Sequence, residues 1–218
     1  MSDESLFREV DEEVRQEQFK KLWARYGNLV IGLCVLVIIG VAGMEGWRYF
    51  QQKQSEAAGS TFFSAVQLAE AGKPADAVKQ FEAIDKTGFA TLGRLRAAAE
   101  LVSEDKVEDA VKIYDAVAAD TANDQTLRDL ARVRAAAALA GTAGFADIEA
   151  RLKDFNVDGN PWRHMAREIL ASVQYRVKDY AGADKQVQAI LADPETPPQQ
   201  RQRAAMMADL LQPMVTSQ

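Results

Sequence analysis

The densest run of possible metal ligands is Asp154-Phe155-Asn156-Val157-Asp158-Gly159-Asn160. Oxygen ligands at alternate positions, with glycine sixth for the sharp turn, make up the first half of a calcium-binding loop. The second half departs from that pattern. Position twelve, where a bidentate glutamate should close the site, is Met165, and Pro161 stands at position eight. Glu168 is the one nearby acid that could substitute, and an Asx-rich turn between helices accounts for the same residues. Gly72-Lys73 falls short of a phosphate loop, because Gln67 replaces the upstream glycine and Pro74 stands where a magnesium-binding hydroxyl belongs. His164 is the single histidine and Cys34 the single cysteine. That excludes a disulfide framework within the chain and any multi-Cys zinc site. His164, close to Trp162, reads as a packing or surface position. The carboxylate pairs Glu12–Glu13 and Glu108–Asp109 are adjacent on expected helices, so they diverge and form no acid/base pair. The residues therefore predict no cofactor, no metal, no small-molecule substrate and no enzymatic activity.

The elements that carry these residues follow from composition and pattern. The 218 residues are 48% hydrophobic and 27% charged, with 26 Lys+Arg against 32 Asp+Glu and a net charge of −6. That suffices for one ordinary folded domain plus an appendage. Neither half of the chain has the clustered Lys/Arg excess that phosphate neutralisation needs, so no nucleic-acid partner is expected.

The appendage is apolar. Leu29 to Met44 reads LVIGLCVLVIIGVAGM, without a charged residue. Trp23 and Tyr26 precede it, and Trp47, Tyr49 and Phe50 follow. At about 1.5 Å per residue, the stretch between Tyr26 and Trp47 is on the order of 30 Å, the thickness of a bilayer's hydrocarbon. Trp23, Tyr26, Trp47 and Tyr49 thus fall where interfacial aromatic rings anchor a span in the lipid bilayer. A cleavable signal peptide ending near Val41 and Gly43 would begin with a short basic region, whereas mostly acidic residues come first here. Arg15, Lys20, Lys21 and Arg25 before the span outnumber Arg48 and Lys53 after it, which puts the N-terminus on the cytoplasmic side. The reading divides the chain into a cytoplasmic amphipathic helix (1–25), a transmembrane helix (26–48) and a periplasmic domain (49–218). The first piece carries Phe7, Val10 and Val14 on one stripe and Phe19, Leu22 and Tyr26 on another, with acids early and bases late. It is either a juxtamembrane helix touching anionic headgroups or a docking element. Ala42 and Gly46, four apart, match a small-xxx-small pattern too common to indicate a dimer.

Beyond Gln51 the chain is alanine-rich and lacks β-branched alternation, so the fold class is all-α. Lys73 to Phe81 (KPADAVKQF) aligns with Lys106 to Tyr114 (KVEDAVKIY), and Ala183 with Val187 repeats the pattern weakly. The shared core is Ala77 with Phe81 and Ala110 with Tyr114, 33 residues apart. A small residue lets the second helix of a hairpin approach the first, and an aromatic ring one turn later fills the groove. This resembles the tetratricopeptide repeat, with its 34-residue period and A-x3-F pair. Ala65, Leu68 and Gly72 take the small, large and turn positions of the first hairpin's first helix; Ala98, Leu101 and Asp105 take those of the second, with no glycine at the turn. The pattern predicts about four hairpins. The third is degenerate, with helices near 127–139 and 146–155, separated by Gly141-Thr-Ala-Gly144. The last starts after Asn160-Pro161, with Asn as cap and Pro in the first helical position. A capping helix over 199–212 should place Met206, Met207, Leu210 and Leu211 on one side.

The N-terminal blocks Phe7-Arg-Glu-Val-Asp-Glu-Glu-Val14, Lys21-Leu-Trp-Ala-Arg-Tyr-Gly27 and Gly46-Trp-Arg-Tyr-Phe50, one span and a helical repeat domain together resemble the YfgM-like family of ancillary Sec translocon subunits. The resemblance implies an inner-membrane protein with one span, its N-terminus cytoplasmic and its repeat domain periplasmic. It further implies partners in the SecYEG translocon and in a PpiD-type membrane-anchored periplasmic chaperone. The function implied is a non-enzymatic adaptor that helps pass translocated proteins to periplasmic chaperones. The same architecture would also serve a tethered scaffold in envelope assembly, cell division or stress signalling. Residues of the partner groove cannot be assigned from the repeat phase alone.

Overall fold

The structure, a computed structural model, describes residues 3–85 and 88–216, without the side chains of residues 3–14, 16–19 and 30. Among the described residues every regular element is helical: α1 (Asp3–Glu70), α2 (Pro74–Glu82), α3 (Gly88–Ser103), α4 (Val107–Ala119), α5 (Gln125–Leu139), α6 (Phe145–Leu152), α7 (Arg163–Arg176), α8 (Tyr180–Ala192) and α9 (Pro198–Val215). The chain divides into two compact units, Met1–Gln54 and Ser55–Gln218. Helix α1 supplies the described residues of the first and the opening helix of the second.

In the first unit the apolar run is exposed all the way round. Leu29, Ile31, Leu33, Val35, Leu36, Val37, Ile38 and Ile39 are each between 49% and 68% accessible. A core helix of a soluble protein hides at least one face; this helix hides none and is long and apolar enough to cross a membrane. Cations sit over the flanking rings, Arg25 5.7 Å from the centre of Tyr26 and Lys53 5.8 Å from that of Tyr49. Gly27 is covered by the Trp23 indole, which a Cβ there would meet at 3.3 Å. Of the stripes expected before the span, the side chains of Phe7, Val10, Val14 and Phe19 lie outside the described residues.

The second unit is a stack of hairpins: the end of α1 with α2, α3 with α4, α5 with α6, and α7 with α8, closed by α9. From α2 onward each helix contacts the next in the chain, the end of α1 joins α2 through the Phe62 and Phe81 rings in the cluster that holds Ala65 and Ala77, and α3, α5 and α7 also meet in series. Three of the four hairpin turns close identically. Gly72 N–H donates to Ala69 O and Lys73 N–H to Leu68 O; Asp105 and Lys106 donate to Val102 and Leu101, and Lys178 and Asp179 to Tyr175 and Gln174. This is the Schellman closure, which needs a left-handed residue at the turn. Gly72 (φ +72°) supplies it without strain, while Asp105 (φ +61°) and Lys178 (φ +67°) adopt it with a Cβ. The glycine absent from the second turn is thus replaced by an aspartate in the same conformation. The α5–α6 turn is built differently: Thr142 and Ala143 both donate to Leu139 O, and Arg176 on α7 donates to Ala140 O at 2.9 Å and also to Ala143 O.

Three apolar clusters run along the stack and share helices. Ala131 and Ala135 of α5 face the first, with Ala65, Ala77, Phe81, Ala98, Leu101, Ala110 and Tyr114, and Leu68 packs partly buried at its edge. Val133 and Ala136 of the same helix face the second, with Ile148, Leu152, Phe155 and Leu170. Ala171, Ala183, Val187, Ile190 and Leu211 form the third. The alanine run of α5 is therefore a helix packed on two sides. Gly93 on α3 marks the closest approach: a Cβ there would lie 2.8 Å from the carbonyl oxygen of Phe81.

Two local expectations need correction. Helix α7 begins at Arg163, and Pro161 lies in the turn before it, because the Asn160 side chain accepts the Trp162 N–H at 2.8 Å and its carbonyl accepts the Arg163 N–H. The stripe on α9 is split. Leu211 is buried and Met207 packs beside it, whereas Met206 and Leu210, one position earlier in each pair and so rotated about 100°, face outward at 61% and 46% exposure.

Relieving the left-handed residue by Lys178→Gly should stabilise the unit by about 0.5–1 kcal/mol, and Gly72→Ala should cost a similar amount. Gly93→Ala should cost about 1–3 kcal/mol because the obstacle is backbone. Thermal unfolding of the full chain in detergent, followed by circular dichroism, checks the order Lys178→Gly above wild type above Gly72→Ala, with Gly93→Ala lowest.

Candidate functional site

The calcium-like loop lies between α6 and α7, and its oxygen-bearing side chains are engaged elsewhere. Asp154 binds Arg132 at 2.9 Å, Asp158 binds Arg167 at 2.6 Å, Asn156 accepts from Arg167 Nε at 3.2 Å, and Asn160 caps the turn. The Arg132 guanidinium holds the Asp154 carboxyl below its ordinary range, and also lies 4.6 Å from the centre of the Phe155 ring. Glu168, the possible substitute ligand, forms a two-toothed pair with Arg203 of α9. The loop is an arginine-fastened turn. Its acids neutralise guanidinium groups and do not converge on a common point.

Arg163, His164 and Arg167 are all buried on the first two turns of α7. Asp193, at the end of α8, accepts from Arg163 Nε at 2.6 Å and lies 2.9 Å from His164 Nε2, while its other oxygen accepts the Glu195 N–H at 2.9 Å. Glu195 takes a second Arg163 nitrogen, and Arg201 donates to the Leu191 and Asp193 carbonyls. The hydrogen bond from Arg163, then the Glu195 N–H and His164, hold the Asp193 carboxyl well below the usual carboxylate range; the same contact raises Arg163. This network joins α7, the Asp193–Thr196 turn and α9. It leaves His164 a packing residue in a polar clasp.

A different surface is open to a ligand. Helices α3, α4, α5, α7 and α9 line two adjoining cavities. One of about 200 Å³ is bounded by Ala99, Val102, Tyr114, Arg134, Ala137 and Ala138. The other, of about 370 Å³, is bounded by Arg134, Ala137, Met165, Glu168, Ile169 and Arg203 among others. Burial pushes the Tyr114 hydroxyl above its ordinary pKa, opposed by Arg134 and Arg96, so at neutral pH it is a protonated donor. The residues singled out from sequence for packing belong to the cores: Ala65, Ala77, Phe81, Ala98, Leu101, Ala110, Tyr114, Ala183 and Val187 are buried and Leu68 is partly so. Trp23, Tyr26, Trp47 and Tyr49 are exposed on α1. Sequence reasoning missed Arg134 and the Asp193 clasp. The clasp had a signal in Arg163 and Arg167, one helical turn apart on one face.

Comparison with known proteins agrees with this architecture. Residues 20–154 match the family described as a tetratricopeptide repeat-like domain. The chain belongs to that family. The match covers the tetratricopeptide repeat-like helices up to the Asx-rich loop, and α7 to α9 extend beyond it. Among curated proteins, the chain is 27% identical over 187 residues to the ancillary SecYEG translocon subunit of Escherichia coli (strain K12), covering 83% of this chain and 87% of that one. It is 35% identical over 95 residues to the ancillary SecYEG translocon subunit of Haemophilus influenzae (strain ATCC 51907 / DSM 11121 / KW20 / Rd), covering 41% and 45% respectively. These relatives bear out the resemblance to the YfgM-like family.

The Asp193 clasp carries a pH dependence. A carboxylate more acidic when folded contributes stability above its unfolded pKa of about 3.9, and that contribution is lost as pH falls through the lower folded value. Asp193→Asn should be less stable than wild type at pH 7, because the buried Arg163 loses its charged acceptor and Arg167 a counter-ion 3.9 Å away. The gap should narrow at pH 3 and below, as read by urea unfolding at both pH values.

Proposed function

We propose that this chain is a membrane-anchored, non-enzymatic ancillary subunit of a SecYEG-type translocon. The observation that carries the reading is the similarity to the Escherichia coli subunit of that name, which extends over most of both chains. The physical features support it. An apolar helix exposed on all sides provides an anchor, and a stack of hairpins provides a binding surface. Tethering the stack beside a channel raises the local concentration of that surface without any new contact. Residues 26–48 cross the inner membrane, residues 1–25 lie in the cytoplasm as the Lys/Arg bias directs, and residues 49–218 lie in the periplasm. There the repeats receive translocated chains and pass them to a PpiD-type membrane-anchored chaperone. Trp23, Tyr26, Trp47 and Tyr49 anchor the span at the two interfaces.

Purification of the tagged full-length protein from native membranes in mild detergent should recover SecYEG and a membrane-anchored periplasmic chaperone by mass spectrometry. Division or cell-wall factors in their place would assign the same architecture to a scaffold. Orientation is checked in a Cys34→Ala background. A membrane-impermeant maleimide should label Ser103→Cys from the periplasmic side and leave Ser2→Cys unlabelled until the membrane is opened.

A further inference from the structure

No further inference is drawn: the strongest candidate, the outward face of the capping helix α9 where Met206 and Leu210 are exposed, is an apolar surface for which nothing among the described residues shows what covers it.

Discussion

At Ala65, Ala77, Ala98, Ala110, Ala131, Ala135 and Ala183 the side chain is fully enclosed, and a methyl group is all that separates one helix from the next. This close contact sets the rest of the repeat unit. Small residues let the ridges of one helix sink into its neighbour, and the larger groups one turn away, Phe81, Tyr114 and Val187, fill the space left beside them. Gly93 carries the same constraint to its limit, where not even a methyl group fits. Interiors packed at this density have little room to relax, so the spacing of successive hairpins is fixed by residue size and not by loop length.

Where the C-terminal hairpins leave the matched repeat region, polar contacts take over part of this task. Arg132, Arg167 and Arg176 each reach from a first helix into a turn of another element, and Arg163 with Arg167 holds Asp193. An arginine can satisfy several carbonyl or carboxylate acceptors at once from one rigid fork. The shortened α6, only eight residues long, buries Ile148 and Leu152 and relies on these fastenings at both of its ends. The residues that looked most like a metal site are thereby part of the scaffold.

The parts of this fold visible in the sequence were those governed by short-range periodicity. Ala77–Phe81 and Ala110–Tyr114 announce hairpins because both members of each pair lie on one helix, and the run from Leu29 to Met44 announces by composition alone a helix long and apolar enough to cross a membrane. The stripe on α9 was misread because Met206 and Met207 are equally apolar, and only the position of α8 decides which one turns inward. The placement of Pro161 failed for a related reason: an Asn side chain that accepts at the second residue and a carbonyl that accepts at the third delay the helix by one turn's start. The Asp193 clasp joins residues about 30 positions apart, and the cavity lined by both Arg134 and Tyr114 draws on different hairpins. Neither has a local signature. Contacts of that kind depend on the superposition of hairpins, which no pattern along the chain specifies residue by residue.

The contact order of the stack has its own meaning for a chain that grows from one end. Every substantial contact in the repeat unit joins a helix to one of the next two. A hairpin therefore needs nothing from residues far downstream to bury its own seam, and each new pair finds a finished surface waiting. Such a unit can be delivered in linear order and fold as it arrives, with only the newest hairpin uncovered at any moment. The α9 helix then covers the apolar side of the last hairpin with Ala204, Met207 and Leu211.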